Sequence, residues 1–169
     1  MASQFKQYVP VDIWKRLQVI FEGSKDEYPE IGLANLTGES LMNCLTYLMN
    51  YTRDCNTVFL IPGTRRRVYL PSPHEAIRTL MDGQVVGVMW LHLPVLPVLG
   101  FFVDDPHNMS ISFSRHGWTP VSAIALFDLL HQITLLAPEV EIYLSGTCFT
   151  DKEFKLFDSV WAQYRTLVG

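Results

Sequence analysis

The stretch that decides the fold is Val85–Ser114, which reads VVGVMWLHLPVLPVLGFFVDDPHNMSISFS. From Gly83 to Val103 it contains no Asp, Glu, Lys or Arg, a run about as long as a transmembrane span. Pro94 and Pro97 break its centre, His92 precedes them, and Gly87 and Gly100 interrupt each half. A bilayer helix tolerates that pattern poorly. Val, Phe and Trp on either side of Leu93–Pro97 instead predict two strands, Val85–Leu93 and Val98–Val103, joined by a turn. Neither strand alternates with polar residues, so both are expected to be buried on two faces. Asp104-Asp105-Pro106-His107-Asn108 has the composition of a turn. Beyond it, Met109–Ser114 alternates strictly: Met109, Ile111 and Phe113 point one way and Ser110, Ser112 and Ser114 the other. That pattern predicts an outer strand, or a serine face lining something polar.

Working outward toward the N-terminus, a first helix is expected at Val11–Glu22, after Pro10 and up to Gly23, with Trp14, Leu17 and Phe21 forming an apolar stripe. Ser24–Gly38 reads as a polar loop punctuated by Pro29 and Gly32. A second helix follows at Glu39–Tyr51. Thr57–Ile61 and Arg67–Leu70 read as short strands around Pro62-Gly63-Thr64. Ser72, Pro73 and Glu75 start a third helix with a capping box, ending near Asp82.

Toward the C-terminus the signals are αβα. Thr119 caps a helix from Pro120 to Leu136, Glu139–Ser145 alternates as a strand, and Thr150 with Glu153 caps a last helix whose apolar face includes Phe154, Phe157, Val160, Trp161 and Tyr164. The order is ααββαβββαβα. This predicts a single α+β domain over residues 1–169, with a mixed, mostly antiparallel sheet of about six strands and about five helices. The long helical connection from Ser114 to Glu139 permits a parallel crossover.

The composition is 49% apolar, 12% aromatic and 18% charged, which excludes disorder and suits a domain able to bury about 70% of its unfolded surface. Net charge is −4, which gives no electrostatic case for nucleic acid or an anionic membrane. Residues 1–84 carry nine basic and nine acidic side chains, and residues 85–169 carry four and eight. The acidic excess therefore lies wholly in the C-terminal half. Cys44, Cys55 and Cys148 form no CxxC pair, so neither a disulfide framework nor a structural zinc site is expected. No apolar h-region follows Met1, and a reducing, cytoplasmic location is the expectation.

No motif carries chemistry. HExxH, EF-hand, GxSxG, Rossmann and phosphate-loop patterns are all missing, so no catalytic residue, metal or cofactor is assigned. Asp104, Asp105 and His107 form the densest cluster of polar ligands, but neighbouring Asp residues are ordinary in turns because they satisfy local N–H groups. Arg115, His116 and Trp118 converge before a capped helix, where an anion or a partner would fit; for Trp118, packing onto the helix start is the simpler reading. Arg65-Arg66-Arg67 is the only basic run and reads as a solvated guard on a hairpin. Cys148 near a helix start, and Glu139 and Glu141 on one strand, read as packing and as a solvated face.

The first expectation is a non-catalytic protein-binding domain. Its contact surface would combine Asp104, Asp105, His107, Arg115, His116 and Trp118 with the serine face of Met109–Ser114, and would steer a basic partner. Toxin-neutralising immunity proteins share this small, acidic profile as a class, without any motif match. One alternative is a small enzyme or ligand-binding domain with a pocket near Asp104–Trp118, requiring His107 or His116 in a concave site. A homo-oligomeric, self-associating subunit is the other.

Overall fold

The computed structural model describes residues 2–51, 58–60, 67–69, 75, 78–79, 81–82, 86–91 and 95–169. In chain order the elements are α1 (Ala2–Phe21), β1 (Glu30–Ala34), α2 (Gly38–Tyr51), β2 (Val58–Leu60), β3 (Arg67–Tyr69), β4 (Val86–Leu91), β5 (Leu99–Asp105), β6 (Asn108–Phe113), α3 (Pro120–Leu136), β7 (Glu141–Ser145) and α4 (Asp151–Val168). The strands form a seven-stranded sheet in the order β3-β2-β4-β5-β6-β1-β7. Every neighbouring pair is antiparallel. The chain is thus α+β, with four helices among the described residues. Of the helix expected from Ser72 to near Asp82, Ser72 and Pro73 lie outside them, while Glu75, Arg78, Thr79 and Met81 are helical.

The strand count corrects the sequence-based expectation of six, and β1 is the reason. It lies inside the stretch read as a polar loop, where Pro29 and Gly32 look like punctuation. Ile31 and Leu33 are nevertheless fully buried, and β1 fits between β6 and β7. Ile31 pairs with Ile111 on one side and Leu144 on the other, and Leu33 pairs with Met109 and Ile142. Directly opposed residues share a face of the sheet. The register therefore gathers Ile31, Leu33, Met109, Ile111, Ile142 and Leu144 on one side, joined by Leu99 and Phe101 of β5.

With β1 in place, β6 is interior. The prediction that Met109–Ser114 is an outer strand with a wet face is corrected: Ser110 and Ser112 are buried along with Met109, Ile111 and Phe113. The expected crossover survives in altered form. Both β6 and β7 run antiparallel to β1, so they point the same way, linked by α3, with β1 between them. No parallel pair results, so the sheet is antiparallel throughout its described strands and not mixed as expected. The first helix also begins earlier than its sequence suggests, at Ala2 instead of Val11.

All four described helices contribute to one core with the first face of the sheet: Leu17, Ile20 and Phe21 from α1, Leu41 and Leu45 from α2, Phe127 and Leu130 from α3, and Phe157 and Val160 from α4. Helix α1 packs against α3 and α4. Phe127 anchors this layer, its ring 5.8, 5.6 and 5.4 Å from those of Phe157, Trp161 and Tyr164. Thr119 and Ser122 cap α3 reciprocally. The carboxylate of Glu153 accepts from the Thr150 N–H at 2.7 Å at the start of α4, as the sequence signals predict.

If β1 is a central strand, Leu33→Ala should destabilise the protein by about 3 kcal/mol, the usual cost of emptying a fully buried leucine site. Urea denaturation measures this. A change below about 0.5 kcal/mol, normal for a surface loop, would place the segment outside the sheet.

Candidate functional site

The second face of the sheet carries the residues of opposite parity. One cross-strand row is Gly100–Ser112–Glu30–Ser145, and the next is Phe102–Ser110–Gly32–Tyr143. None of these belongs to the core shared with the helices. Tyr143 is exposed and Phe102 and Glu30 are half-buried, while Ser110 and Ser112 are buried. Gly32 is small for a steric reason: a Cβ there would lie 2.2 Å from Cζ of Tyr143. The tyrosine ring therefore lies across β1, over the glycine. A shift in register between Val103 and Asp105 marks a bulge at Asp104, a common way to re-aim a side chain at a strand end.

The electrostatics of this face are unbalanced. Strands β5, β6, β1 and β7 contain four carboxylates, Glu30, Asp104, Asp105 and Glu141, and no Lys or Arg. Partial burial and the Asp104 charge push the Glu30 carboxyl above its ordinary value. Asp104 is raised as well, by desolvation first and by Asp105 next. The Ser110 hydroxyl lies close enough to lower both carboxyls and offset part of these rises. Even so, it completes no hydrogen bond of good geometry: Ser110 Oγ is buried and unpartnered, in a residue only 4% exposed. Asp105 behaves oppositely. Its carboxylate accepts from Asn108 Nδ2 and the His107 N–H, each at 2.7 Å, and these bonds hold its pKa low.

The sequence-selected residues separate into two groups. Asp104 and Asp105 lie at the end of β5, and Ser110 and Ser112 lie buried on the second face, which contributes no residue to the core that the described helices share. His107 sits in the turn, exposed, with Nδ1 2.8 Å from the Leu36 carbonyl. His116 is exposed beside Gly117, which has a φ of +82°. Arg115 and Trp118, in contrast, are turned into the fold. Trp118 donates from Nε1 to the Ser114 carbonyl at 2.7 Å, and its ring is 4.4 Å from that of Phe21. Arg115 terminates α1: Nε donates to the Ile20 carbonyl at 2.9 Å, and Nη2 to those of Val19 and Glu22 at 2.6 and 3.0 Å. Its Nη1 pairs with Glu27 at 2.7 Å, and the guanidinium sits 5.1 Å from the centroid of Phe149. These side chains are engaged internally and are not offered to a partner.

The remaining candidates have structural positions too. Glu139 precedes β7, and its carboxylate accepts from Ser40 and, at 3.3 Å, from the Thr37 N–H, so it satisfies the start of α2. Glu141 accepts from Asn35 at 3.1 Å. Burial pushes the Cys44 thiol up to about 11, which suits packing and not nucleophilic attack. His131 is half-buried, its Nδ1 without a partner. Cys55, Arg65, Arg66, His74 and His92 lie outside the described residues. Glu30, Gly32 and Tyr143 were missed in the sequence; the signal available was the apolar spacing of Ile31 and Leu33 around Gly32.

No group of three or more metal-ligating side chains occurs among the described residues, and none of the described helices is long and apolar enough to cross a membrane. No family, curated protein or solved structure matches the chain. Its class is therefore defined by its architecture: a layer of helices on one face of an antiparallel sheet, with acidic residues on the other.

Two outcomes follow for stability. Arg115→Met should cost about 3 kcal/mol, because it strands Glu27 and the carbonyls at the end of α1; urea denaturation showing a loss below about 0.5 kcal/mol would contradict this role. Glu30→Gln should act in the other direction. A raised carboxyl pKa means the folded state disfavours the ionised form, so the parent gives up stability as pH rises through that pKa. The glutamine variant should be more stable at pH 7 by up to about 1 kcal/mol, the scale of an unfavourable cross-strand pair. Its advantage should vanish near pH 3, below both the folded and unfolded values. Thermal melts across pH test this, and equal or lower stability at pH 7 would contradict it.

Proposed function

We propose that this is a non-catalytic protein-binding domain that docks a basic partner on the face of its sheet opposite the four described helices. The observation that carries the reading is the charge of that face: four adjacent strands with four carboxylates and no basic residue. Two of those carboxyls, Glu30 and Asp104, have pKa values raised first by desolvation, and an incoming cation offsets that cost. Complementary charge also accelerates encounter and excludes acidic competitors.

His107 and His116, which a catalytic pocket beside Asp104–Trp118 requires in an enclosed position, are both exposed, so this alternative gains nothing from them. Self-association through the same face brings like carboxylates together across a two-fold axis, which is repulsive. The finer reading, a cytoplasmic immunity-type protein that neutralises a basic toxin, is supported by size and acidity.

Titration of the isotope-labelled protein with a peptide rich in lysine and arginine tests the proposal by NMR. Amide shifts are expected at Glu30–Gly32, Phe102–Asp105 and Ser110–Ser112. Affinity should fall with added salt, and by about tenfold, or 1.4 kcal/mol, in an Asp104→Lys, Asp105→Lys double variant. Shifts confined to the helical layer, or unchanged affinity in the double variant, would overturn it.

A further inference from the structure

We propose that Ser110, Glu30 and Asp104 form a socket for a single guanidinium group, the arginine side chain of the partner segment. This inference rests on the docking role of the second face and specifies what that face recognises. Ser110 lies on β6, an interior strand of the sheet, with Gly32 opposite it on β1 and Phe102 opposite it on β5. Its hydroxyl oxygen is buried and has no partner, a state that folded proteins seldom leave without compensation. The same hydroxyl lies where its O–H lowers the carboxyls of both Glu30 and Asp104, so its oxygen lone pairs, between two carboxylates, have no donor.

The flanking residues favour a flat cation. Gly32 and Gly100 contribute no side chain to the floor, while Phe102 and Tyr143 put aromatic rings on the same face, the tyrosine ring lying over Gly32. A guanidinium is planar, weakly hydrated, stacks on rings and carries five donors. It can therefore serve two carboxylates and one hydroxyl together. A lysine ammonium is compact and strongly hydrated, and gains less from the rings. A calcium ion takes six or more oxygens, whereas these side chains supply two carboxylates and one hydroxyl. Glu141 and Asp105 already hold Asn35 and Asn108, which leaves Glu30 and Asp104 as the carboxylates without such a bond.

The test uses three glycine–serine peptides, each with one variable residue: arginine, its uncharged isostere citrulline, or lysine. NMR titration of the full chain should show the arginine peptide shifting the amides of Gly32, Phe102, Ser110 and Ser112 in a saturable way. Binding should be at least about tenfold weaker for citrulline, and several-fold weaker for lysine. Glu30→Gln and Ser110→Ala, each checked for a native amide spectrum, should each reduce arginine-peptide affinity several-fold. Equal binding of arginine and citrulline peptides, or affinity unmoved by both substitutions, would overturn the socket. If the lysine- and arginine-rich peptide still shifts the face in that case, the docking role stands without the socket. If neither peptide shifts it, both fall. Saturable shifts at these amides with calcium chloride, and none with the arginine peptide, would also overturn the socket.

Discussion

The architecture depends on the insertion of β1, five residues long, between β6 and β7. A strand's N–H and C=O groups need partners on both edges when it is interior. Without β1, β6 becomes the exposed edge of the meander and β7 has no strand beside it. With it, the meander and the C-terminal αβα segment become one sheet. Register matters as much as pairing, because a slip of one residue would turn Ile31 and Leu33 outward and Glu30 and Gly32 into the core. The same five residues therefore fix the apolar face that the described helices cover and the acidic face opposite it.

Arg115 and Ser110 differ in how completely their polar groups are satisfied, although His131 Nδ1 on α3 also lacks a partner. On the helical side, Arg115 is 8% exposed, yet its guanidinium reaches three carbonyls, one carboxylate and an aromatic ring. A buried charge held this fully is a structural device, ending α1 and tying it to the chain after β6. On the other side, Ser110 is as deeply buried and has no partner, and two carboxyls are disfavoured in their charged form. Natural folds violate local rules mainly where function requires it. The contrast between Arg115 and Ser110 adds to the charge of the second face as support for the proposed docking role.

Much of the scaffold was legible in the sequence. The αβα tail was readable because Thr119, Pro120, Thr150 and Glu153 are strong capping signals and because the apolar spacing is long. The β5 and β6 strands were readable from the absence of charge and the serine alternation. The strand β1 was not, since a short interior strand containing a glycine looks like a loop until its cross-strand partners are known. The site was half legible for the same reason. Asp104, Asp105 and the serines stand out locally, but Glu30 and Tyr143 join them only through β1. Trp118 is buried against Phe21, in keeping with the packing reading that its place before a cap suggests. The internal role of Arg115 was not legible, because the end of α1 packs at that point and one-dimensional spacing does not show it.

The central claim is that β1 places Glu30 alongside Ser110 and Asp104 on the second face of the sheet. Residue-specific carboxyl titration by carbon-13 NMR tests it most directly. The account expects Glu30 to titrate above the ordinary glutamate value and to move back toward it when Asp104 is replaced by asparagine, with Asp105 titrating below the ordinary aspartate value. A Glu30 that titrates at the ordinary value and ignores the Asp104 substitution would contradict it.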